Sequence, residues 1–156
     1  MSGARGQANH SLYLARILLA AWQRETEAGE LPARLLCQAY LPAARGHLLD
    51  AYGWFLLELS GAAELPQHPP RDCGELPAPP PGKAVAGEIL EFQQLEKEGW
   101  LADLLQPATP LSPGLARTPG NLASAAAESP GPGEVQSWAD QLSRLFDRMS
   151  DSLDEY

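Results

Sequence analysis

The sequence predicts an all-α fold, a small bundle of about four helices joined by two proline-rich irregular connections. The chain of 156 residues has two valines and two isoleucines, so few of its residues favour β-strands. Apolar residues instead recur at the spacing of three or four that is typical of helices. Thirteen of the 15 prolines fall within residues 62–83 and 107–133. Since proline removes a backbone donor and restricts φ, neither tract is expected to form a regular helix.

The first predicted helix begins at about Ser11, a suitable N-cap residue, and ends at Ala28 before Gly29. Residues 1–10 before it are expected to form a flexible leader. One apolar face has helical spacing and comprises Leu12, Ala15, Leu19 and Trp22. Further apolar positions widen that face, namely Leu14, Ile17, Leu18 and Ala21. This breadth predicts burial on more than one side of the helix.

The second predicted helix is the most apolar, and we expect it to be the central helix of the bundle. It starts with Pro32 near its first position, where a missing N–H costs little, and ends at about Ser60 before Gly61. Pro42 lies within it. Because proline disrupts helical hydrogen bonding, we predict a kink or a short break near residues 38–42.

Two further helical regions complete the predicted bundle. The third helix is expected from about Ala84 to Glu96, and a further turn or two resumes at Trp100 after Gly99. Residues 11–106 would form the helical core, with residues 62–83 as a proline-rich loop within it. Residues 107–133 form a linker to a C-terminal amphipathic helix over residues 134–156, which we expect to dock on the core. Its apolar seam comprises Val135, Trp138, Leu142, Leu145, Met149 and Leu153.

The formal net charge of −9 disfavours contact with nucleic acid and with anionic membranes. The apolar run from Leu12 to Trp22 is too short to span a bilayer, and it lacks a signal-peptide cleavage site. We therefore expect a soluble cytoplasmic protein. The widely separated Cys37 and Cys73 fit reduced thiols in that compartment, although spacing alone leaves open whether they can pair.

His47 and Asp50 are the weak candidates for catalytic residues. They are separated by one helical turn, so a carboxylate could orient an imidazole base. A polar stripe on an apolar helix is the interpretation we favour, because no nucleophile or oxyanion donor accompanies the pair. The three histidines lie in three different segments, so we predict no metal site. No cofactor motif is present, and no cofactor is expected.

Three segments, taken in chain order, carry a resemblance to a known family: QAYLPAARGHLLDAYGWFLLELSG, EILEFQQLEKEGWLADLL and SRLFDRMSDSLDEY. They resemble an uncharacterised bacterial domain-of-unknown-function family of short helical proteins. The match includes a His-Leu and Ala-Tyr pattern and a Trp-Leu-Ala-x-Leu-Leu segment, here Trp100 to Leu105. The resemblance implies a small cytoplasmic all-helical protein and carries over no activity, cofactor or functional residue.

The predicted function is that of a non-enzymatic module for protein–protein interaction or self-association. A tethered amphipathic helix can dock on its own bundle, on another copy or on a separate partner, because its seam must be buried somewhere. The six seam residues are therefore the predicted partner-binding residues. The alternative is a small ligand-binding or enzymatic helical bundle with a pocket near His47 and Asp50.

Overall fold

The described part of the chain is helical throughout, apart from its connecting loops. The computed structural model describes residues 3–61, 64–77, 86–106 and 130–154. Helix α1 spans Ala4–Ala28, α2 spans Ala33–Ser60, α3 spans Gly87–Leu95, α4 spans Trp100–Leu105 and α5 spans Pro132–Asp154; a short 3-10 helix covers Cys73–Glu75. The predicted all-α class is confirmed, and those ranges contain no strand. Most of the predicted linker, residues 107–129, lies outside the described residues.

Helix α1 begins at Ala4, seven residues before the predicted start at Ser11, so residues 4–10 do not belong to a flexible leader. Ala4 and Ala8 are buried and extend the apolar face toward the N-terminus. Such small side chains carry little hydrophobic signal, so the apolar pattern of the sequence begins only at Leu12. The Arg5 guanidinium also secures this end, because it lies 3.4 Å from a Glu58 carboxylate oxygen and 3.3 Å from one of Asp154.

Helices α1 and α2 pack as an antiparallel hairpin. Gly29 ends α1 in the left-handed region at φ 67°, and its N–H bonds to the carbonyl of Glu25. Pro32, predicted near the first helical position, is the extended N-cap residue of α2, and the helix begins one position later at Ala33. The short turn places the C-terminal half of α1 against the N-terminal half of α2, where the Trp22 and Tyr40 rings stack.

Helix α2 continues through Pro42, so the break predicted as an alternative to a kink is not present. Pro42 is exposed, whereas Leu41 and Ala44 beside it are buried. The missing hydrogen bond is therefore on the solvent side, and apolar packing on the opposite side holds the helix together across the proline.

The third predicted helix is shorter than expected. Helix α3 begins at Gly87 and ends at Leu95, whereas the predicted residues 84 and 85 lie outside the described residues. Ile89 and Phe92 are its buried residues. The resumed turn after Gly99 is confirmed as α4, with Leu101 and Leu104 buried.

Helix α5 packs against α1, α2 and α4 of the same chain. The Phe146 ring stacks on Phe55 with the ring centroids 4.1 Å apart, and Phe55 meets Phe92 edge to face. On the other side of α5, Asp140 accepts a 3.1 Å hydrogen bond from Arg16. The core therefore joins aromatic residues from α2, α3 and α5, and it places the seam of α5 inside the molecule.

Candidate functional site

The weak catalytic candidates His47 and Asp50 do not form a pair. Both side chains are half-buried on α2. The Asp50 carboxylate accepts a hydrogen bond from Arg71 at 3.4 Å instead of contacting His47. Two surface grooves, of about 540 and 230 Å³, are lined by other residues. The arrangement around Asp50 is therefore an ion pair that holds the loop after α2, and no acid–base pair is formed there.

The predicted partner-binding residues of α5 are mostly buried in their own chain. Those with less than 5% of their surface exposed are Val135, Trp138, Leu142 and Met149. Leu145 is half-buried at the edge of the core, and the side chain of Leu153 lies outside the described residues. Contact of this seam with a partner stays a prediction, and it would require α5 to leave the core.

Tyr52 and Cys73, which are buried, form a polar cluster with the half-buried Glu96 between α2, the 3-10 helix and the end of α3. The Tyr52 hydroxyl donates to Glu96 Oε1 at 2.5 Å, and the backbone N–H of Cys73 donates to the same oxygen at 2.9 Å. The Cys73 thiol lies 3.7 Å from the Tyr52 hydroxyl and 3.9 Å from the Ile89 carbonyl oxygen. One carboxylate therefore joins three segments that are distant in sequence.

Burial raises the pKa of the two titratable groups beside Glu96, the Tyr52 hydroxyl and the Cys73 thiol. It raises the pKa of the Tyr52 hydroxyl far above its usual range, and the hydrogen bond to Glu96 acts in the same direction. Burial also raises the pKa of the Cys73 thiol to about 12, partly opposed by the hydrogen bond to Tyr52. A thiol that stays protonated is a poor nucleophile. The cluster is therefore suited to fixing the loop in place and unsuited to covalent catalysis.

We expect Tyr52→Phe to lower the free energy of unfolding by about 1 kcal/mol, because the carboxylate loses one of its two donors. The loss should be modest, since Glu96 is half-buried and can take up water. Urea unfolding followed by circular dichroism measures it. Tyr13→Phe is the matched control, because Tyr13 is 63% exposed. Equal unfolding midpoints for the two variants would contradict this role for the cluster.

We expect the free energy of unfolding to fall as pH rises from about 9, the ordinary thiol pKa, toward the native value of about 12. Over this interval the unfolded chain releases the Cys73 proton while the folded chain keeps it, so the folded state binds more protons. Chemical denaturation at several alkaline pH values measures the slope. Cys73→Ala should make the free energy of unfolding fall less steeply between pH 9 and 11. An unchanged slope would mean that other groups cause the pH dependence.

The loop after α2 approaches the helix backbone at Gly53. A Cβ atom at this position would lie 2.1 Å from the Pro70 carbonyl oxygen and 2.9 Å from Pro69 Cβ. Pro70 and Gly53 are both buried. The proline-rich loop therefore covers the C-terminal half of α2, and the Tyr52 cluster and the Arg71–Asp50 ion pair hold it there.

The outer face of α1 is apolar and uncovered by the described residues. It comprises Tyr13, Ile17 and Ala20, which point away from the buried face; Tyr13 is 63% and Ile17 49% exposed. Leu14, Leu18 and Ala21 lie beside them and are half-buried. We call these six residues the α1 outer face. The breadth of apolar residues on α1 predicted burial on more than one side, and within the described chain only one side is buried.

Sequence reasoning missed the Tyr52 cluster because its members are 21 and 23 residues apart. No local spacing links them. The α1 outer face did have a signal, since the apolar positions of α1 extend around more than half of the helix. That signal predicts burial on more than one side, whereas the structure leaves Tyr13 and Ile17 exposed.

Comparison with known proteins places the chain in a family. All of residues 1–156 match the model of DUF6586, described as a family of unknown function. The chain belongs to this family. The resemblance to a domain-of-unknown-function family is thereby confirmed, while the bacterial origin implied by that resemblance stays a prediction. No curated protein and no solved structure matches the chain.

The description of DUF6586 states no activity. Among the described residues, no group of three or more His, Cys, Asp or Glu side chains is arranged to hold a metal ion. In the same part of the chain, no helix has both the length and the apolar character needed to cross a membrane.

Proposed function

We propose that this protein is a non-enzymatic interaction module that binds another protein surface through the α1 outer face. The observation that carries the proposal is the exposure of Tyr13 and Ile17, four residues apart, with Ala20 on the next turn and Leu14, Leu18 and Ala21 along one flank. Such a continuous apolar face is costly to leave in water, and on a folded domain it is typical of contact sites. The absence of charge across its centre fits the core of an interface.

The ion pairs of α1 support this assignment. Arg5 and Arg16 are bound to carboxylates of α2 and α5 within the molecule. They hold α1 in place along its length. The outer face is therefore presented on a rigid helix, and little conformational entropy would be lost on binding.

Site-specific photo-crosslinking in cells tests the proposal. A photoreactive amino acid at Tyr13 or Ile17 should give a discrete crosslinked band containing this chain and a bound protein. Leu90 is the matched control, because it is 50% exposed on α3 but has the polar residues Glu91 and Gln94 beside it. Crosslinking at positions 13 and 17 no stronger than at position 90 would overturn the proposal.

A further inference from the structure

We infer that the partner of the α1 outer face is a second copy of this chain, bound in an antiparallel orientation about a two-fold axis at Ile17. This inference rests on the proposed function and names its partner. Two features of α1 support it: the order of large and small residues along the face, and the distribution of charge along the helix.

Large and small residues are arranged so that the face complements itself when one copy is reversed. Tyr13 precedes Ile17 by one turn, and the small residues Ala20 and Ala21 follow it by one turn. With the partner's Ile17 opposite Ile17, each tyrosine ring lies over the partner's Ala20 and the partner's Ala21. A parallel arrangement would instead place tyrosine against tyrosine and leave a gap between the alanines. Alternation of large and small side chains across a helix interface is what close packing requires.

Charge favours the antiparallel orientation. Residues 1–24 contain three arginines and no Asp or Glu, so contact between two copies through the α1 outer face brings no carboxylates together at its centre. Within α1 and the turn after it, Glu25, Glu27 and Glu30 cluster at one end. An antiparallel pair separates the two clusters and places each beside a helix N-terminus, whereas a parallel pair would bring them together.

The contact is limited to one helix of 25 residues, about 37 Å long at the usual rise. It is therefore a small interface, and we expect a dissociation constant on the order of 10 µM. Static light scattering of the purified full chain from about 1 to 200 µM should show the mass rising from that of one chain, 16.8 kDa, toward twice that value. Ile17→Asn should weaken association at least tenfold, and Leu90→Asn, at an equally exposed site, should leave it unchanged.

Cysteine crosslinking tests the orientation. His10 and Arg24 are exposed on the outer side of α1, at equal distances from Ile17. A mixture of His10→Cys and Arg24→Cys chains should form the mixed disulfide dimer in preference to either symmetric dimer. The native Cys37 and Cys73 are buried, which limits background.

Three results would overturn the inference. Symmetric disulfides would show a parallel pair, and association that Ile17→Asn leaves unchanged would show a dimer through another face. A mass of one chain at every concentration would exclude a second copy. If photo-crosslinking at Tyr13 then captured a different protein, the proposed function would stand and this inference alone would fail.

Discussion

Replacing Phe146 with alanine should lower the free energy of unfolding by about 3–5 kcal/mol, the largest effect expected of a single substitution here. Phe146 is 3% exposed, and its ring stacks on Phe55, which in turn packs on Phe92. The change removes the contact through which α5 covers the aromatic core and leaves a cavity between α2 and α5. Because small domains are stable by only about 5–15 kcal/mol, thermal unfolding should shift markedly.

Leu145→Ala is the control for Phe146→Ala, because Leu145 is the preceding residue of α5 but only half-buried. We expect it to cost roughly 1 kcal/mol. Similar losses for the two variants would show that the α5 register differs from the one described.

The dependence of the unfolding midpoint on protein concentration tests whether α5 docks on its own core or on the core of a second chain. If α5 docks on its own core, the unfolding midpoint of an Ile17→Asn chain should not depend on protein concentration, because pairing through α1 has been weakened. A midpoint that rises with concentration in this background would indicate a swapped dimer. The predicted role of the α5 seam in binding a partner would then regain support.

Gly53→Ala should lower the free energy of unfolding by about 1–3 kcal/mol, although the same change normally stabilises a helix. The added methyl group would meet the Pro70 carbonyl oxygen at 2.1 Å and Pro69 Cβ at 2.9 Å. Neither is the end of a flexible side chain, so the loop must move away from α2. Its displacement should also disturb the hydrogen bonds of Cys73 and Tyr52 to Glu96, which lie just beyond it.

Gly46→Ala is the matched control, because Gly46 lies on the same helix and a Cβ atom there would meet nothing within 4 Å. It should stabilise the protein by up to about 1 kcal/mol, through helix propensity alone. Opposite signs for the two substitutions, measured by urea unfolding, are the expected result. If both stabilise, the loop does not pack on Gly53.

Much of the fold could be predicted from local patterns. The spacing of Leu12, Ala15 and Leu19 identified the buried side of α1, and the seam of α5 is buried almost as its spacing indicates. Gly29 and Gly61 end the two long helices in the left-handed region, as glycine after an apolar helix suggests. These features depend on residues within a few turns of each other, so a single segment contains the information.

The functional interpretation depended on contacts between distant segments. Asp50 appeared beside His47 in sequence, but the fold pairs it with Arg71 of the loop. Glu96 had no distinguishing neighbour in sequence, but the fold places it on the Tyr52 hydroxyl and the Cys73 N–H. Arg71 and Cys73 both come from the loop after α2, and the close approach of that loop at Gly53 brings them to Asp50 and Glu96.

The sequence by itself determined that this chain is helical, which side of each long helix is apolar, and where those helices end, because periodicity and glycine positions act locally. Tertiary structure decided which apolar faces are covered. Helix α5 and the proline-rich loop bury their own contact surfaces against α1 and α2, and they leave the α1 outer face exposed, as they do Leu31 and Leu35 around the start of α2. The hydrophobic effect is non-directional, so an apolar face does not by itself specify which segment covers it. The packing of the other segments therefore decides which apolar faces stay in contact with water.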